Sequence, residues 1–252
     1  MIGEHRNEQP EAEEAPDVAA RLAAVLERIR SAEQRFARDP GSVRLLAVSK
    51  VQDEAKMRQA YLAGQRAFGE SYPQEALAKM EKLADLDIEW HFIGRIQGNK
   101  TRDIAARFDW VHSLCDLRHA QRLNDQRPPE KDPLSACIQV NLSGESTKAG
   151  LQPEQVSDFL DACATYERIQ IRGLMVLPAP ASELAEQRLP FARLRELRDR
   201  LATPDRPLSV LSMGMSDDLE AAVAEGADMV RIGTAVFGPR VPTDRRTPLG
   251  PR

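Results

Sequence analysis

Leu45-Leu46-Ala47-Val48-Ser49-Lys50 is the stretch of sequence that decides the fold, because a short apolar run ends in a single lysine. Its length and apolar character predict a buried strand, and Asp53 with the helical pattern of residues 55–63 predicts a turn and a helix. A lysine at the carboxyl end of such a strand would face a pocket with an apolar floor, which disfavours the ammonium form. The neutral amine is the form that attacks a carbonyl to give a Schiff base. On this stretch alone, the simpler interpretation is a solvated lysine that ends a strand.

The same strand-and-helix unit recurs along the 252 residues. Apolar strands that alternate with helices indicate a parallel sheet covered by helices. About eight units in this length favour a single closed (β/α)8 barrel over an open doubly wound sheet. The first turn carries no G-x-G-x-x-G pattern, which disfavours a dinucleotide fold. Strands are predicted at 43–49, 67–70, 89–94, 110–114, 135–142, 171–177, 210–213 and 229–237, with helices at 55–63, 73–83, 100–106, 117–125, 153–166 and 217–225 and one that ends near Leu201 with Pro190 in its first turn.

Three segments of the chain are distinguished by composition. Residues 1–16 are rich in glutamate and predict a disordered tail. An extra helix is expected before the first strand, capped at its start by Asp17 and stopped by Asp39-Pro40-Gly41. Residues 17–240 are therefore predicted to form the barrel, and 241–252, with several prolines and arginines, a flexible tail.

Composition excludes several classes of partner. A net charge of −4 argues against nucleic acid, which takes a basic surface. No apolar run approaches membrane-spanning length and the amino terminus lacks a signal-peptide pattern, so no membrane partner is expected. The three cysteines (Cys115, Cys137 and Cys163) show no C-x-x-C spacing, and the histidines show no metal-ligand spacing. These features predict no metal site and a cytoplasmic location.

Two later stretches supply candidate anion ligands. Strand eight runs into Gly233-Thr234, where glycine lets the backbone approach a ligand and threonine adds a hydroxyl donor. The end of strand seven adds Ser212 and Gly214. Barrels of this type commonly hold a phosphate in the loops after strands seven and eight. Each stretch alone also fits an ordinary Gly/Ser loop.

Arg231 lies within the otherwise apolar strand eight, where an unpaired charge is costly. It is predicted either to form an ion pair, with an acidic residue on a neighbouring strand or with Glu70, or to donate to a ligand. His91 alternates with Trp90 and Phe92 and therefore faces the opposite side of its strand. A lone strand histidine is more often structural than catalytic, and we expect the same here.

Further residues are expected at the barrel mouth, just past the strand ends. These are Glu70-Ser71-Tyr72 after strand two and Gln97, Asn99 and Lys100 after strand three.

Six stretches in this order resemble the pyridoxal phosphate homeostasis protein family, whose barrel is akin to the N-terminal domain of alanine racemase. The resemblance extends from about residue 18 to Gly238. It departs from the family pattern at Ser71, Pro73 and Arg95, where asparagine, an aliphatic residue and proline are usual, and these positions concern the pocket mouth. The stretches are 45–50, 68–72, 90–100, 172–175, 212–222 and 231–238.

This resemblance implies a monomeric or weakly associating (β/α)8 barrel of the alanine racemase N-terminal-domain type that holds pyridoxal 5′-phosphate (PLP) as a Schiff base. Lys50 corresponds to the family's cofactor lysine. Ser212, Gly233 and Thr234 correspond to its phosphate ligands, and Arg231 to the arginine that faces the pyridine nitrogen.

The expected function is PLP homeostasis, in which the chain buffers PLP or delivers it to PLP-dependent apo-enzymes with little or no catalysis. An arginine at the pyridine nitrogen disfavours its protonation and makes the ring a poorer electron sink. Racemisation also needs a second acid/base group, which in alanine racemases comes from a C-terminal β domain, and too few residues follow strand eight to form one. The alternatives are a PLP-dependent amino-acid racemase, a Schiff-base aldolase, or a metabolite-binding barrel without a covalent cofactor.

Overall fold

Eight parallel strands close into one barrel in the order β1 to β8, with β8 paired to β1. The computed structural model describes residues 17–144 and 148–239. The predicted (β/α)8 barrel with an extra N-terminal helix is confirmed. The elements are α1 (Val18–Arg35), β1 (Arg44–Val48), α2 (Glu54–Leu62), β2 (Ala67–Glu70), α3 (Pro73–Lys82), β3 (Glu89–Phe92), α4 (Thr101–Arg107), β4 (Trp110–Leu114), α5 (Leu117–Gln126), β5 (Leu134–Gln139), α6 (Val156–Ala162), β6 (Ile169–Met175), α7 (Leu184–Leu201), β7 (Val210–Ser212), α8 (Leu219–Ala224), β8 (Met229–Ile232) and α9 (Thr234–Phe237).

The apolar run of β1 divides between the two faces of the barrel wall. Leu45 and Ala47 belong to the large core between strands and helices. Leu46 belongs to a small separate cluster with Ala67 and Met229. Because side chains alternate along a strand, this second cluster fills part of the barrel interior. Strands buried on both faces explain why their sequences read as continuous apolar runs.

The helix α1 occupies a place in the outer helical ring. The Asp17 carboxylate accepts a hydrogen bond of 2.7 Å from the Ala20 backbone N–H, which confirms it as the N-cap. The buried face of the helix includes Leu22 and Ile29. It packs against α2, α8 and α9. The helix that follows β8 is a single turn, so α1 covers the seam between the last and the first strand.

Two predicted elements are wrong in detail. The eighth strand ends at Ile232, and the apolar residues 234–237 form α9, in which the Phe237 N–H donates to the Gly233 carbonyl at 3.0 Å. Pro190 lies inside α7 and not in its first turn, because the helix begins six residues earlier, at Leu184. The other predicted strands and helices lie within a few residues of the observed ones.

The two predicted tails, 1–16 and 241–252, lie outside the described residues. None of the helices within 17–144 and 148–239 combines the length and the apolar character that a membrane crossing requires.

Candidate functional site

A cavity of about 290 Å³ opens at the carboxyl ends of the strands. It brings Lys50 together with Arg231, Gly233 and Thr234, which follow much later in the sequence. This volume is near the lower end for small-molecule pockets and suits a ligand with a single ring. The other lining residues are Val48, Ser71, Ile93, Met175, Leu177, Met215, Ser216 and Asp217.

Lys50 follows β1 in a tight turn and is half-buried. The next residue, Val51, has a φ of 59°, which is strained for a β-branched side chain. Neighbouring contacts hold this turn in place, since the Val51 N–H donates to the Glu75 carboxylate at 2.6 Å. The backbone therefore fixes the direction in which Lys50 leaves the strand.

Four polar and charged residues, of which Ser49, Glu70 and Lys79 are buried and Glu75 is half-buried, support the Lys50 turn from outside the barrel wall. The Lys79 ammonium donates to the Ser49 carbonyl at 2.8 Å, to Glu70 at 2.8 Å and to Glu75 at 2.6 Å. Glu70 also accepts from the Ser49 hydroxyl at 2.7 Å. Burial raises the pKa of Glu70, and the Lys79 charge opposes this shift. We call Ser49, Glu70, Glu75 and Lys79 the turn clamp.

Arg231 lies at the cavity floor and is 5% exposed. Its guanidinium donates to the Ser212 carbonyl at 2.6 Å, to the Ser212 hydroxyl at 2.9 Å and to the Val176 carbonyl at 2.9 Å. Burial lowers its pKa to about 10, so the group remains charged at neutral pH. The ion pair with Glu70 considered from sequence is not formed, because Glu70 faces Lys79 on the outer side of the barrel wall.

Gly233 and Thr234 form the start of α9 at the cavity wall. A Cβ at Gly233 would lie 3.2 Å from the Val48 carbonyl oxygen, so the absence of a side chain lets this loop sit close to β1. The Thr234 hydroxyl belongs to a residue that lines the same cavity. The two positions therefore place a closely packed backbone segment and a hydroxyl-bearing residue in the same cavity as Lys50.

The structure does not bring Ser212 to the cavity. Its side chain has no exposed surface, and its hydroxyl contacts His112 at 2.8 Å and Arg231 at 2.9 Å. Its predicted role as a direct phosphate ligand does not fit this placement, because β7 turns the side chain into the barrel interior. Sequence reasoning missed Ser216, four residues later, which lines the cavity instead.

His91 is buried, as expected of a structural residue, but it is part of a larger arrangement that the sequence analysis missed. Its Nδ1 lies 2.8 Å from Nε2 of His112, and its Nε2 lies 2.5 Å from the Glu89 carboxylate. Burial lowers the pKa of His91 although Glu89 opposes the shift, and burial with the nearby charges lowers the pKa of His112 well below its usual value. The alternation of β3 and β4 was the available signal, since it places both rings inside the barrel.

The residues expected at the mouth divide between different sites. Ser71 lines the cavity, whereas Tyr72 is exposed. Asn99 lines a separate cavity with His119 and Arg122. Of the other two departures, Pro73 is the first residue of α3, where its missing N–H costs little, and Arg95 is exposed.

No group of three or more histidine, cysteine, aspartate or glutamate side chains in the described ranges could hold a metal ion. Cys115, Cys137 and Cys163 are free thiols. Burial raises the pKa of Cys137 to about 12 and that of Cys163 to about 11, which keeps both inert as nucleophiles.

Comparison with known proteins identifies relatives over nearly the whole described chain. Residues 20–241 match the family model for the alanine racemase N-terminal domain. The Pseudomonas aeruginosa pyridoxal phosphate homeostasis protein is 53% identical over 223 residues, which cover 88% of this chain and 96% of that one. The protein of the same name from Escherichia coli K12 is 45% identical over 227 residues, covering 89% and 97%.

A solved structure shares the same barrel. PipY of Synechococcus elongatus PCC7942, with PLP bound, is 39% identical and superposes with a TM-score of 0.77, covering 88% of this chain and all of PipY.

Proposed function

The chain belongs to the family of pyridoxal phosphate homeostasis proteins and carries the alanine racemase N-terminal domain; from this premise we propose that it binds PLP in the cavity at the carboxyl ends of the strands. The observation that carries the proposal is that Lys50, Arg231, Gly233 and Thr234 line one cavity. Relatives with the homeostasis name and the PLP-bound PipY support it.

The donor set fits the chemical groups of PLP. Lys50 supplies the primary amine that bonds to the aldehyde carbon as a Schiff base. Thr234 and Ser216 supply hydroxyl donors for the phosphate, and Gly233 lets the backbone approach it. The apolar side chains of Val48, Ile93, Met175 and Leu177 line the space between them and suit the faces of the ring.

Arg231 gives the site its chemical character. PLP supplies a conjugated ring that acts as an electron sink when its nitrogen is protonated. A guanidinium can only donate, so Arg231 would hydrogen-bond to an unprotonated ring nitrogen and keep it so. This arrangement favours holding the cofactor over turnover. Ser212 supports Arg231 from below and does not touch the phosphate in this proposal.

The proposed role is therefore PLP homeostasis, in which the chain buffers PLP and releases it to PLP-dependent apo-enzymes, with little or no catalysis. Among the described residues that line the cavity, Asp217 is the one ionisable residue besides Lys50 and Arg231, and its side chain is exposed to solvent. Racemisation would need a base on each face of the substrate. We further propose that the chain acts in the cytoplasm as a monomer.

The test is the visible absorbance of the purified chain with added PLP. Lys50→Ala should abolish the visible band, and borohydride reduction of the wild type should add the reduced cofactor to the peptide that contains Lys50. Lys82→Ala, at an exposed lysine paired with Glu54, is the matched control and should keep the band. An unchanged band in Lys50→Ala contradicts the proposal, and steady interconversion of L- and D-alanine contradicts the non-catalytic role.

A further inference from the structure

A line of buried polar side chains runs through the inside of the barrel beneath the cavity. It begins at Arg231, passes through Ser212, His112 and His91, and ends at Glu89, at the amino-terminal end of β3. The successive links measure 2.9, 2.8, 2.8 and 2.5 Å. The three middle side chains have no exposed surface.

At the upper end of this line, one partner has a fixed role. A guanidinium only donates, so the Ser212 hydroxyl oxygen accepts from Arg231. The hydroxyl keeps its hydrogen and a second lone pair, so this contact alone leaves the direction of its bond with Nδ1 of His112 open.

The lower end sets the direction of the whole line. Burial opposes ionisation of Glu89, but the hydrogen bond from His91 and the Arg44 guanidinium, which lies 3.1 Å from both carboxylate oxygens, favour the ionised form, and the pKa is lowered to about 2. An ionised carboxylate only accepts, so His91 carries its proton on Nε2. A neutral His91 then accepts at Nδ1 from the Nε2–H of His112, and a neutral His112 accepts at Nδ1 from the Ser212 hydroxyl.

We propose that these residues form a one-way hydrogen-bond relay in which Glu89, His91 and His112 are positioning residues for Ser212 and, through it, for Arg231. The inference rests on the proposed function, because Arg231 is the group that would meet the ring nitrogen. Arg231 keeps its proton at neutral pH, so the relay holds a donor in place and does not conduct protons.

These hydrogen bonds fix the orientation of the Arg231 guanidinium and, within residues 17–144 and 148–239, leave two of its N–H groups unused. Among the described residues, three of its five N–H groups are taken by Ser212 and Val176. All three acceptors are neutral oxygens, so no carboxylate draws the guanidinium away from the cavity. The remaining two N–H groups stay available to a ligand above it.

The charges around the two rings do not disturb the relay. Glu89 on β3, Arg44 on β1 and Asp109 before β4 act on His91, and Arg231 acts on His112. Burial outweighs the carboxylates at His91, so both rings stay neutral at neutral pH.

The direct test is nitrogen NMR of the histidine-labelled full chain without PLP. Both His91 and His112 should carry one proton, on Nε2, with Nδ1 unprotonated, and this pattern should not change between about pH 7 and pH 8. A proton on Nδ1 of either ring, or an imidazolium at neutral pH, overturns the relay.

The positioning role is tested by Ser212→Ala, which removes the link between His112 and Arg231. Hydrogen exchange at the Arg231 guanidinium should become about tenfold faster or more, because one of its hydrogen bonds is lost and the group is freed. Ser113→Ala is the matched control. Ser113 on β4 is also buried and donates one hydrogen bond, at 2.5 Å, to the Gly94 carbonyl, but it lies outside the relay. Exchange in this control should match the wild type.

Unchanged Arg231 exchange in Ser212→Ala overturns the positioning role. Both measurements use the chain without cofactor, so they stay decisive if Lys50→Ala contradicts PLP binding. In that case the relay would stand as a device that orients Arg231 toward a different ligand.

Discussion

At the scale of single residues, the turn clamp shows how a buried ion pair fixes the turn that carries Lys50, the proposed Schiff-base lysine. Lys79 is 5% exposed and bonds to the backbone on one side of Lys50, while Glu75 bonds to the backbone on the other side. Glu70 accepts from both Lys79 and Ser49. Because these contacts use backbone atoms, the position of Lys50 depends on charges that never reach the cavity.

Lys79→Met should lower the free energy of unfolding by about 3–5 kcal/mol, because it leaves the Glu70 carboxylate buried without its cation. Urea denaturation measures this change. Lys82→Met is the control: its pair with Glu54 is exposed, so the loss should stay within about 1 kcal/mol. Combining Lys79→Met with Glu70→Gln should recover part of the stability; no recovery would show that the clamp does not act as a charge pair.

Glu89 gives the stability of the chain a specific dependence on pH. Its pKa is about 2 in the folded chain against an ordinary 4.5, so its contribution is fully present above about pH 4.5 and is lost as the pH falls toward 2. Allowing for partial exposure, this contribution is at most about 2 kcal/mol.

In Glu89→Gln, the loss of stability between pH 4.5 and 2 should therefore be smaller than in the wild type. Chemical denaturation across this range measures it. Glu81→Gln, at an exposed position, is the control, and its loss of stability between pH 4.5 and 2 should equal that of the wild type. An equal loss in Glu89→Gln and the wild type would contradict the assigned pKa.

The site residues could be predicted from sequence only as far as their strand ends. Lys50 and Gly233-Thr234 follow buried strands, and parallel strands bring their carboxyl ends to one edge. Ser212 and Ser216 are equally polar in sequence, but Ser212 ends β7 with its side chain buried, whereas Ser216 lies in the following loop and lines the cavity. Alternation along β3 and β4 places His91 and His112 inside the barrel, but their hydrogen bond depends on how the two strands pair, which no local pattern specifies.

At the scale of elements, close backbone packing shapes the cavity rim. A Cβ at Gly94 would lie 2.1 Å from the Ser71 carbonyl oxygen, so the end of β3 packs directly on the loop after β2. Ser71 lines the cavity. Since backbone atoms cannot move aside like a flexible side chain, a glycine at this position holds the rim in place.

Gly94→Ala should cost about 2–3 kcal/mol or more, because the loop that carries Ser71 must shift. Gly98→Ala is the matched control, since the nearest atom to its Cβ is 3.7 Å away, and its effect should stay within about 0.5 kcal/mol. Thermal or urea unfolding compares the two variants. Equal stability of both would contradict the contact.

The helices and strands were predictable where apolar period and termination signals agreed, as at Asp17 and at residues 67–70. Residues 235–237 are apolar, which fits a strand as well as a helix. The change from strand to helix at Gly233 depends on packing against β1, which the local sequence does not show. The predicted β8 was therefore too long. Pro190 was placed in a first turn because proline is disfavoured inside helices, yet α7 extends through it.

At the scale of the whole molecule, the barrel is sealed by its first helix. Arg28 on α1 donates to both oxygens of Glu220 on α8 at 2.6 Å, and to the Ser216 carbonyl at 2.7 Å. Ser216 lines the cavity. The helix that covers the last strand therefore also holds the loop at the cavity wall.

Leu22→Ala should lower the free energy of unfolding by about 2–5 kcal/mol, because this side chain is 1% exposed in the seam between α1 and the barrel. Leu62→Ala, at 78% exposure, is the matched control and should change stability by no more than about 0.5 kcal/mol. A change of less than about 1 kcal/mol in the free energy of unfolding of Leu22→Ala would mean that the packing of α1 on the barrel contributes little to stability.

The position of α1 has a consequence for synthesis on the ribosome. The first helix and β1 emerge before the other described elements, but their partners β8, α8 and α9 are translated only after the first seven strands. Until then β1 has an unpaired edge, and α2 is the one of its three packing partners that α1 can reach. A nascent chain would therefore keep much of both surfaces exposed until β8 and α9 have been made, and products truncated before them should be prone to aggregation and recognition by chaperones.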